Sequence, residues 1–323
     1  MFCTLYITLI FVLMIQGSLG TTFQLVNRCD YTVWPGTLSN SGSPGLATTG
    51  FELQPGFTRS IPAEPGWSGR FWGRTGCSFD PSTGRGSCAT GDCGSGQMEC
   101  NGSGAAPPAT LAEFTVGSSG SQDFYDVSLV DGYNLPMIVE ASGGTGGCGP
   151  TGCVADLNRM CPEELRAGGG QGCKSACGAF GTPEYCCSGE FGSPDKCRPT
   201  AYSSIFKNAC PKSYSYAYDD PTSTFTCSGA DYTITFCPSL TSKKSSSWSP
   251  TTNGQPAPAV ATAGGSHSHP AEDSLATWLP TFVTGGSAHL SPNPNHIICV
   301  AMTIILFAFL LLQNSYFSLA NCC

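Results

Sequence analysis

Apolar and polar residues alternate along Phe124 to Val130: Tyr125, Val127 and Leu129 fall on one face of an extended chain, and Asp126 and Ser128 on the other. The pattern predicts a half-buried strand with a carboxylate on its polar side. A second alternation, Tyr232, Ile234 and Phe236 against Thr233 and Thr235, predicts a last strand just before Cys237. Tyr31 to Trp34 is a β-rich run that Pro35 and Gly36 are expected to stop. Phe51 to Leu53 is closed by Pro55-Gly56, and Asp131-Gly132 turns the chain after the Phe124 strand. From Thr21 to about Val139 the chain therefore reads as short strands between turn clusters, an antiparallel β-sandwich or barrel.

The strand pattern fades between Cys148 and Cys210, where closely spaced cysteines dominate. Short helices are expected there, one near Gly172 to Phe180 and one near Ser203 to Ala209. Adjacent Cys186 and Cys187 point away from the backbone in different directions, so they are expected to bond to different partners. The stretch Gly84 to Cys100 places three cysteines in seventeen glycine-rich residues with no apolar run. Only crosslinks hold such a segment.

Composition sharpens the picture. Twenty cysteines in 323 residues exclude a reducing compartment, and the sixteen from Cys29 to Cys237 lie between two hydrophobic terminal segments, an even number that fits eight disulfides. Spacing alone does not select their connectivity. Charged residues make up 11% of the chain and the net charge is −8, which argues against nucleic acid and anionic membrane surfaces but not against uncharged glycans.

Residues 1–20, MFCTLYITLIFVLMIQGSLG, read as a signal peptide, apolar and ending in small residues. Residues 239–296 are rich in Ser, Thr, Pro, Gly and Ala, too polar to offset their ordering entropy, and read as a linker or glycosylated stalk. Residues 297–323 contain an apolar run, Ile297 to Leu312, with no Lys or Arg after it. Small residues at Gly285, Gly286 and Ser287, followed by a nine-residue spacer, make this tail a GPI signal; a single membrane helix is the alternative.

All four histidines, His267, His269, His289 and His296, lie in the linker or beside the tail. That removes Ser-His-Asp and Cys-His catalysis and histidine-ligated metal from the folded part, and leaves carboxylates as its strong acid/base groups. No nucleotide-binding or nucleophile-elbow motif stands in a strand-to-helix context. The sequence calls for no cofactor and no metal. Asn101-Gly102-Ser103 is an N-glycan acceptor sequence.

Several stretches together carry a family resemblance: WSGRFWGRTGC at Trp67 to Cys77, TLAEF at Thr110 to Phe114, YDVSLVDGYNLPM at Tyr125 to Met137, YAYDDPTSTFTC at Tyr216 to Cys227, and the Gly84 to Cys100 segment. The chain resembles the thaumatin-like proteins, the plant pathogenesis-related proteins of group five, over Thr21 to Pro238. The resemblance implies a mainly β fold: a β-sandwich core, a disulfide-rich second domain within 148–210 and a small third domain within 77–100. It also implies the pairs Cys29 with Cys237, Cys77 with Cys88, Cys93 with Cys100, Cys148 with Cys227, Cys153 with Cys210, Cys161 with Cys173, Cys177 with Cys186, and Cys187 with Cys197.

It further implies an acidic cleft lined by Arg70, Glu113, Asp126, Asp131 and Asp219, with Asp220 the alternative to Asp219. Clustering four carboxylates around one arginine is unfavourable unless a site needs it. Tyr125 and Tyr133 are expected beside these groups as partners for sugar. Two functions follow. As a binding module, a monomeric defence protein with antifungal potential would hold β-1,3-glucan or a related wall polysaccharide, tethered at the outer face of the plasma membrane or in the cell wall. As an enzyme, it would be a weak endo-β-1,3-glucanase with Glu113 as acid and Asp131 as its partner. A surface recognition module without catalysis is a third reading.

Overall fold

In a computed structural model, residues 20–118 and 121–238 are described. The expected signal peptide, stalk, GPI site at Gly285, Gly286 and Ser287, and hydrophobic tail lie outside these residues, apart from Gly20. Strands are numbered along the chain. One five-stranded sheet runs in the order β10 (Thr151–Cys153), β9 (Met137–Ser142), β14 (Asp231–Phe236), β1 (Thr21–Asn27), β3 (Thr58–Ala63). The other runs β13 (Phe225–Cys227), β8 (Asp123–Ser128), β7 (Leu111–Thr115), β4 (Ser68–Arg74), β2 (Trp34–Ser39) and is antiparallel throughout.

The two sheets meet because their alternating apolar residues face one another. Phe23 of β1 sits among the rings of Trp67, Phe71 and Phe114 at centroid distances of 5.0, 4.9 and 4.7 Å. Tyr232, Ile234 and Phe236 of β14 and Tyr125 and Val127 of β8 join the same buried cluster. Within an otherwise antiparallel arrangement, β1 and β14 pair parallel. No short turn joins these first and last strands, so nothing forces them into a hairpin, and Cys29–Cys237 closes their ends.

Two modules sit beside the sandwich. The larger packs Leu157, Leu165, Phe206 and the half-cystines Cys153, Cys161, Cys173 and Cys210 against Leu129 and Tyr133. It holds the ribbon β11 (Arg166–Ala167) and β12 (Gly172–Cys173), and helices α1 (Ala176–Phe180), α2 (Pro183–Cys186) and α3 (Ala201–Ala209). The expected helix from Gly172 thus begins later, after β12, where Ser175 accepts the Gly178 N–H as an N-cap. The second helix begins earlier than expected, because Thr200 and Ser203 form a capping box ahead of it. A last short helix, α4 (Asp220–Ser223), precedes β13.

The smaller module carries the ribbon β5 (Ser78–Phe79) and β6 (Gly86–Ser87), and packs Cys93 and Cys100 on Trp72 and Leu111. Fully buried Arg74 pins it to the sandwich by donating to the backbone oxygens of Trp34 at 3.0 Å and Met98 at 2.6 Å.

Among the described residues eight disulfides close, the number expected. Besides Cys29–Cys237 they are Cys77–Cys88, Cys93–Cys100, Cys148–Cys227, Cys153–Cys210, Cys161–Cys173, Cys177–Cys186 and Cys187–Cys197. Cys186 and Cys187 thereby bind two different loops to one point.

Two strand expectations need correction. Pro35 and Gly36 do not stop a strand: β2 begins at Trp34 and runs through both. It is an edge strand, where the missing proline N–H is tolerated, and a side chain at Gly36 would fall inside the Trp72 indole. Phe51 to Leu53 makes a single isolated bridge, Leu53 to Val33, instead of a strand.

Candidate functional site

Three neighbouring strands line up the first part of the site. In β4 the Phe71 side chain enters the core, so Arg70 points outward; in β7 Ala112 and Phe114 are buried and Glu113 points outward; in β8 Tyr125 and Val127 are buried and Asp126 points outward. The register then places Arg70 opposite Glu113 and Glu113 opposite Asp126. A row of cation, carboxylate and carboxylate crosses the sheet on its outer face.

The row is open rather than enclosed. The Arg70 Nη1 to Glu113 Oε1 distance is 3.7 Å, an ion pair too long for a hydrogen bond, with the two side chains 27% and 33% exposed. Arg70 Nε and Asp126 Oδ1 are buried and have no hydrogen-bond partner within the protein. Buried polar atoms are rarely left so, and water or a ligand is the usual partner.

Asp131 sits on the turn after β8. Gly132 at φ 90° makes that turn, and its N–H donates to the Leu129 carbonyl at 2.9 Å. Asp131 lies close enough to Glu113 for its charge to raise the Glu113 pKa.

Asp219 and Asp220 have different roles despite being adjacent. Asp219 is buried and accepts from the Ser215 N–H at 3.0 Å, the Ser215 hydroxyl at 2.9 Å and Lys207 Nζ at 2.9 Å. Its charge is spent locally, holding the loop ahead of α4. Asp220 is exposed and accepts from the Tyr214 hydroxyl at 2.9 Å, and it is Asp220 whose charge bears on Asp126. Tyr214 and Lys207 carry no sequence signal of their own; both act through the fold of residues 207–224, which no local pattern reveals.

The tyrosines expected beside the acids are not there to meet sugar. Tyr125 is 1% and Tyr133 0% exposed, and their hydroxyls donate to the backbone oxygens of Gly149 at 2.6 Å and Ala155 at 2.9 Å. The strand alternation that turns Asp126 outward turns Tyr125 into the core. Tyr133 is enclosed by the larger disulfide module.

Crowding moves the carboxyls in one direction. Burial, reinforced by the charges of Glu113 and Asp220 and opposed by Arg70, holds Asp126 well above the usual carboxylate range. Burial also raises Glu113, with Arg70 opposing and Asp131 adding to the effect, and it raises Asp131 against the pull of Arg70. Among the described residues no cluster of His, Cys, Asp and Glu has metal-holding geometry. Hollows occur elsewhere, one lined by Tyr202, Ser215, Tyr216 and Val130, the residue before Asp131, and one by Trp34, Phe79 and Met98.

The family model described as "Thaumatin family" matches residues 27–238. The chain belongs to the thaumatin family. It is 68% identical over 230 residues to a thaumatin-like protein 1 of Arabidopsis thaliana, covering 69% of this chain and 88% of that one. It is 62% identical over 223 residues to the pathogenesis-related thaumatin-like protein 3.5 of Cryptomeria japonica, covering 68% and 91%. A glucan endo-1,3-beta-glucosidase of Prunus avium is 54% identical over 232 residues, covering 70% and 94%. The family match thus falls on the disulfide-bonded sandwich and its two modules.

Proposed function

We propose that this thaumatin-family protein is a plant defence-type protein that holds a neutral wall polysaccharide, β-1,3-glucan or a close relative, along the row Arg70, Glu113, Asp126, with Asp131 at its side. The observation that carries the reading is the pair of buried, unpartnered atoms, Arg70 Nε and Asp126 Oδ1, flanking the Glu113 carboxylate on an open face. Sugar hydroxyls both donate and accept, so one polyhydroxyl chain satisfies both atoms. The low charge content of the chain suits an uncharged ligand. The family context, with pathogenesis-related relatives, supports a defence role. Retention on insoluble β-1,3-glucan, lost in Arg70→Ala protein that melts like wild type, tests the reading; equal retention overturns it.

Hydrolysis is the second reading, favoured by the Prunus avium relative named as a glucan endo-1,3-beta-glucosidase and by the raised pKa values of Glu113 and Asp131. In it Glu113 is the acid and Asp131 its partner. Release of reducing ends from laminarin, falling about 100-fold or more in Glu113→Gln, checks it. Release unchanged by the substitution points to a contaminating enzyme.

On this reading the protein works outside the cell, in the wall or at the plasma membrane. The sequence features that support this are the expected signal peptide, stalk and tail with Gly285, Gly286 and Ser287, which would set this chain in a tethered subgroup. Exposed Asn101 suits an N-glycan. Release from intact cells by a GPI-specific phospholipase tests the anchor.

A further inference from the structure

Glu113 and Asp126 are register partners on adjacent antiparallel strands and share the outer face of the sheet. Side chains so paired have Cβ atoms about 4.5–5.5 Å apart, and like charges placed directly opposite are destabilising. Two carboxylates that close tend not to ionise together, and the pair takes up one proton.

The surroundings decide which carboxyl keeps it. Glu113 has Arg70 on its far side at 3.7 Å. Besides Glu113 and Arg70, the charge that bears on Asp126 is another carboxylate, Asp220, which accepts from the Tyr214 hydroxyl at 2.9 Å. The nearby lysine is already committed, since Lys207 Nζ serves Asp219, the Ser213 carbonyl and the Ser223 hydroxyl. The groups facing Asp126 are thus Arg70 from β4, Glu113 from β7, and Tyr214 and Asp220 from the segment ahead of β13, with Asp131 on the turn beyond acting on Glu113. Finally, Asp126 Oδ1 is buried and makes no hydrogen bond within the protein.

We infer that Glu113 and Asp126 hold a single proton between them, that Asp126 carries it, and that the row meets its ligand as donor, acceptor and donor. The Arg70 guanidinium, the Glu113 carboxylate and the Asp126 carboxyl O–H are those three groups. The inference rests on the glucan reading for its ligand and deepens it: the row has no net charge, so its complement is an uncharged polyhydroxyl chain rather than a cation. It also gives Asp126 a role distinct from that of Asp131. The burial and neighbouring charges that raise Asp126 well above the ordinary range agree with this assignment.

Carboxyl ¹³C NMR titration of the intact, ligand-free protein tests the proton, with the Asp126 resonance assigned by its loss in Asp126→Asn. Asp126 should titrate above the ordinary carboxylate range, move down in Glu113→Gln, and move down by less in Asp220→Asn, an exposed substitution that leaves the row intact. An ordinary Asp126 titration, or one unmoved by both substitutions, overturns the inference. Laminarin binding on the same samples tests the ligand. Wild-type affinity should fall about tenfold as pH rises through the Asp126 titration, the loss of one hydrogen-bond donor, and Asp126→Asn should show no such limb. Binding that is flat across that range in wild type overturns the donor role. A high, Glu113-dependent Asp126 titration in protein that binds no laminarin at any pH upholds the shared proton and sinks the glucan reading.

Discussion

Lys207 Nζ stands 2.9 Å from Asp219 Oδ2, and the two close a small polar knot with Ser215 beneath the loop that carries Asp220. Asp219 is 9% exposed, so removing its charge leaves the lysine partly buried and unpaired. Asp219→Ala is expected to cost about 2–3 kcal/mol of stability in urea unfolding. Asp220→Ala, at an exposed position, is expected to cost less than about 1 kcal/mol. Equal costs would remove the distinction between the buried Asp219 and the exposed Asp220.

Asp126 links the row to acid-base stability. Its pKa is raised in the folded protein, so the native state binds the proton more tightly than the unfolded chain does. Stability therefore declines as pH rises from the unfolded carboxyl value through the folded one, and levels off above it. Asp126→Asn lacks that decline. The variant is expected to match wild type near pH 3 and to exceed it in Tm at pH 7, measured by thermal melts at both values.

In the core, Asp123 is 3% exposed and accepts from the Tyr232 hydroxyl at 2.7 Å and the Gly117 N–H at 2.7 Å. This pair links β8 of one sheet to β14 of the other. Tyr232→Phe removes one donor from a buried carboxylate and is expected to cost about 1–3 kcal/mol. Denaturant titration should show a lower midpoint with an unchanged slope.

Glu99 fastens the small module to the chain beside β2. It accepts from the Thr48 hydroxyl at 2.8 Å, the Thr49 N–H at 2.6 Å, the Thr49 hydroxyl at 2.7 Å and the Gly50 N–H at 2.9 Å. Burial acts to raise its pKa, but these hydrogen bonds outweigh it and the net shift is downward. The stabilisation is thus present above the unfolded carboxyl pKa and is lost as pH falls through the folded value. Glu99→Gln is expected to speed hydrogen exchange at the Thr49 and Gly50 amides at pH 6–7, with the difference from wild type closing in acid.

Much of the site was legible as residue types before any geometry. Asp126 was marked by its place on the polar face of an alternating strand, and β14 was legible from Tyr232, Ile234 and Phe236, because period-two alternation is a local property. Cysteine number pointed to eight crosslinks. The same local reading failed for Tyr125 and Tyr133: nearness in sequence to Asp126 and Asp131 put them beside the acids, and the pleat and the neighbouring module put them inside.

By itself, the sequence determined a histidine-free, crosslinked β scaffold and a short roster of carboxylates, since pattern and composition are written residue by residue. Only the tertiary structure decided that Glu113 lies between Arg70 and Asp126, that β1 runs parallel to β14, that Pro35 lies on an edge strand, and that Asp220 rather than Asp219 acts on Asp126. Each of these depends on how distant segments pair or pack, and a one-residue slip in pairing would have turned the row into the core.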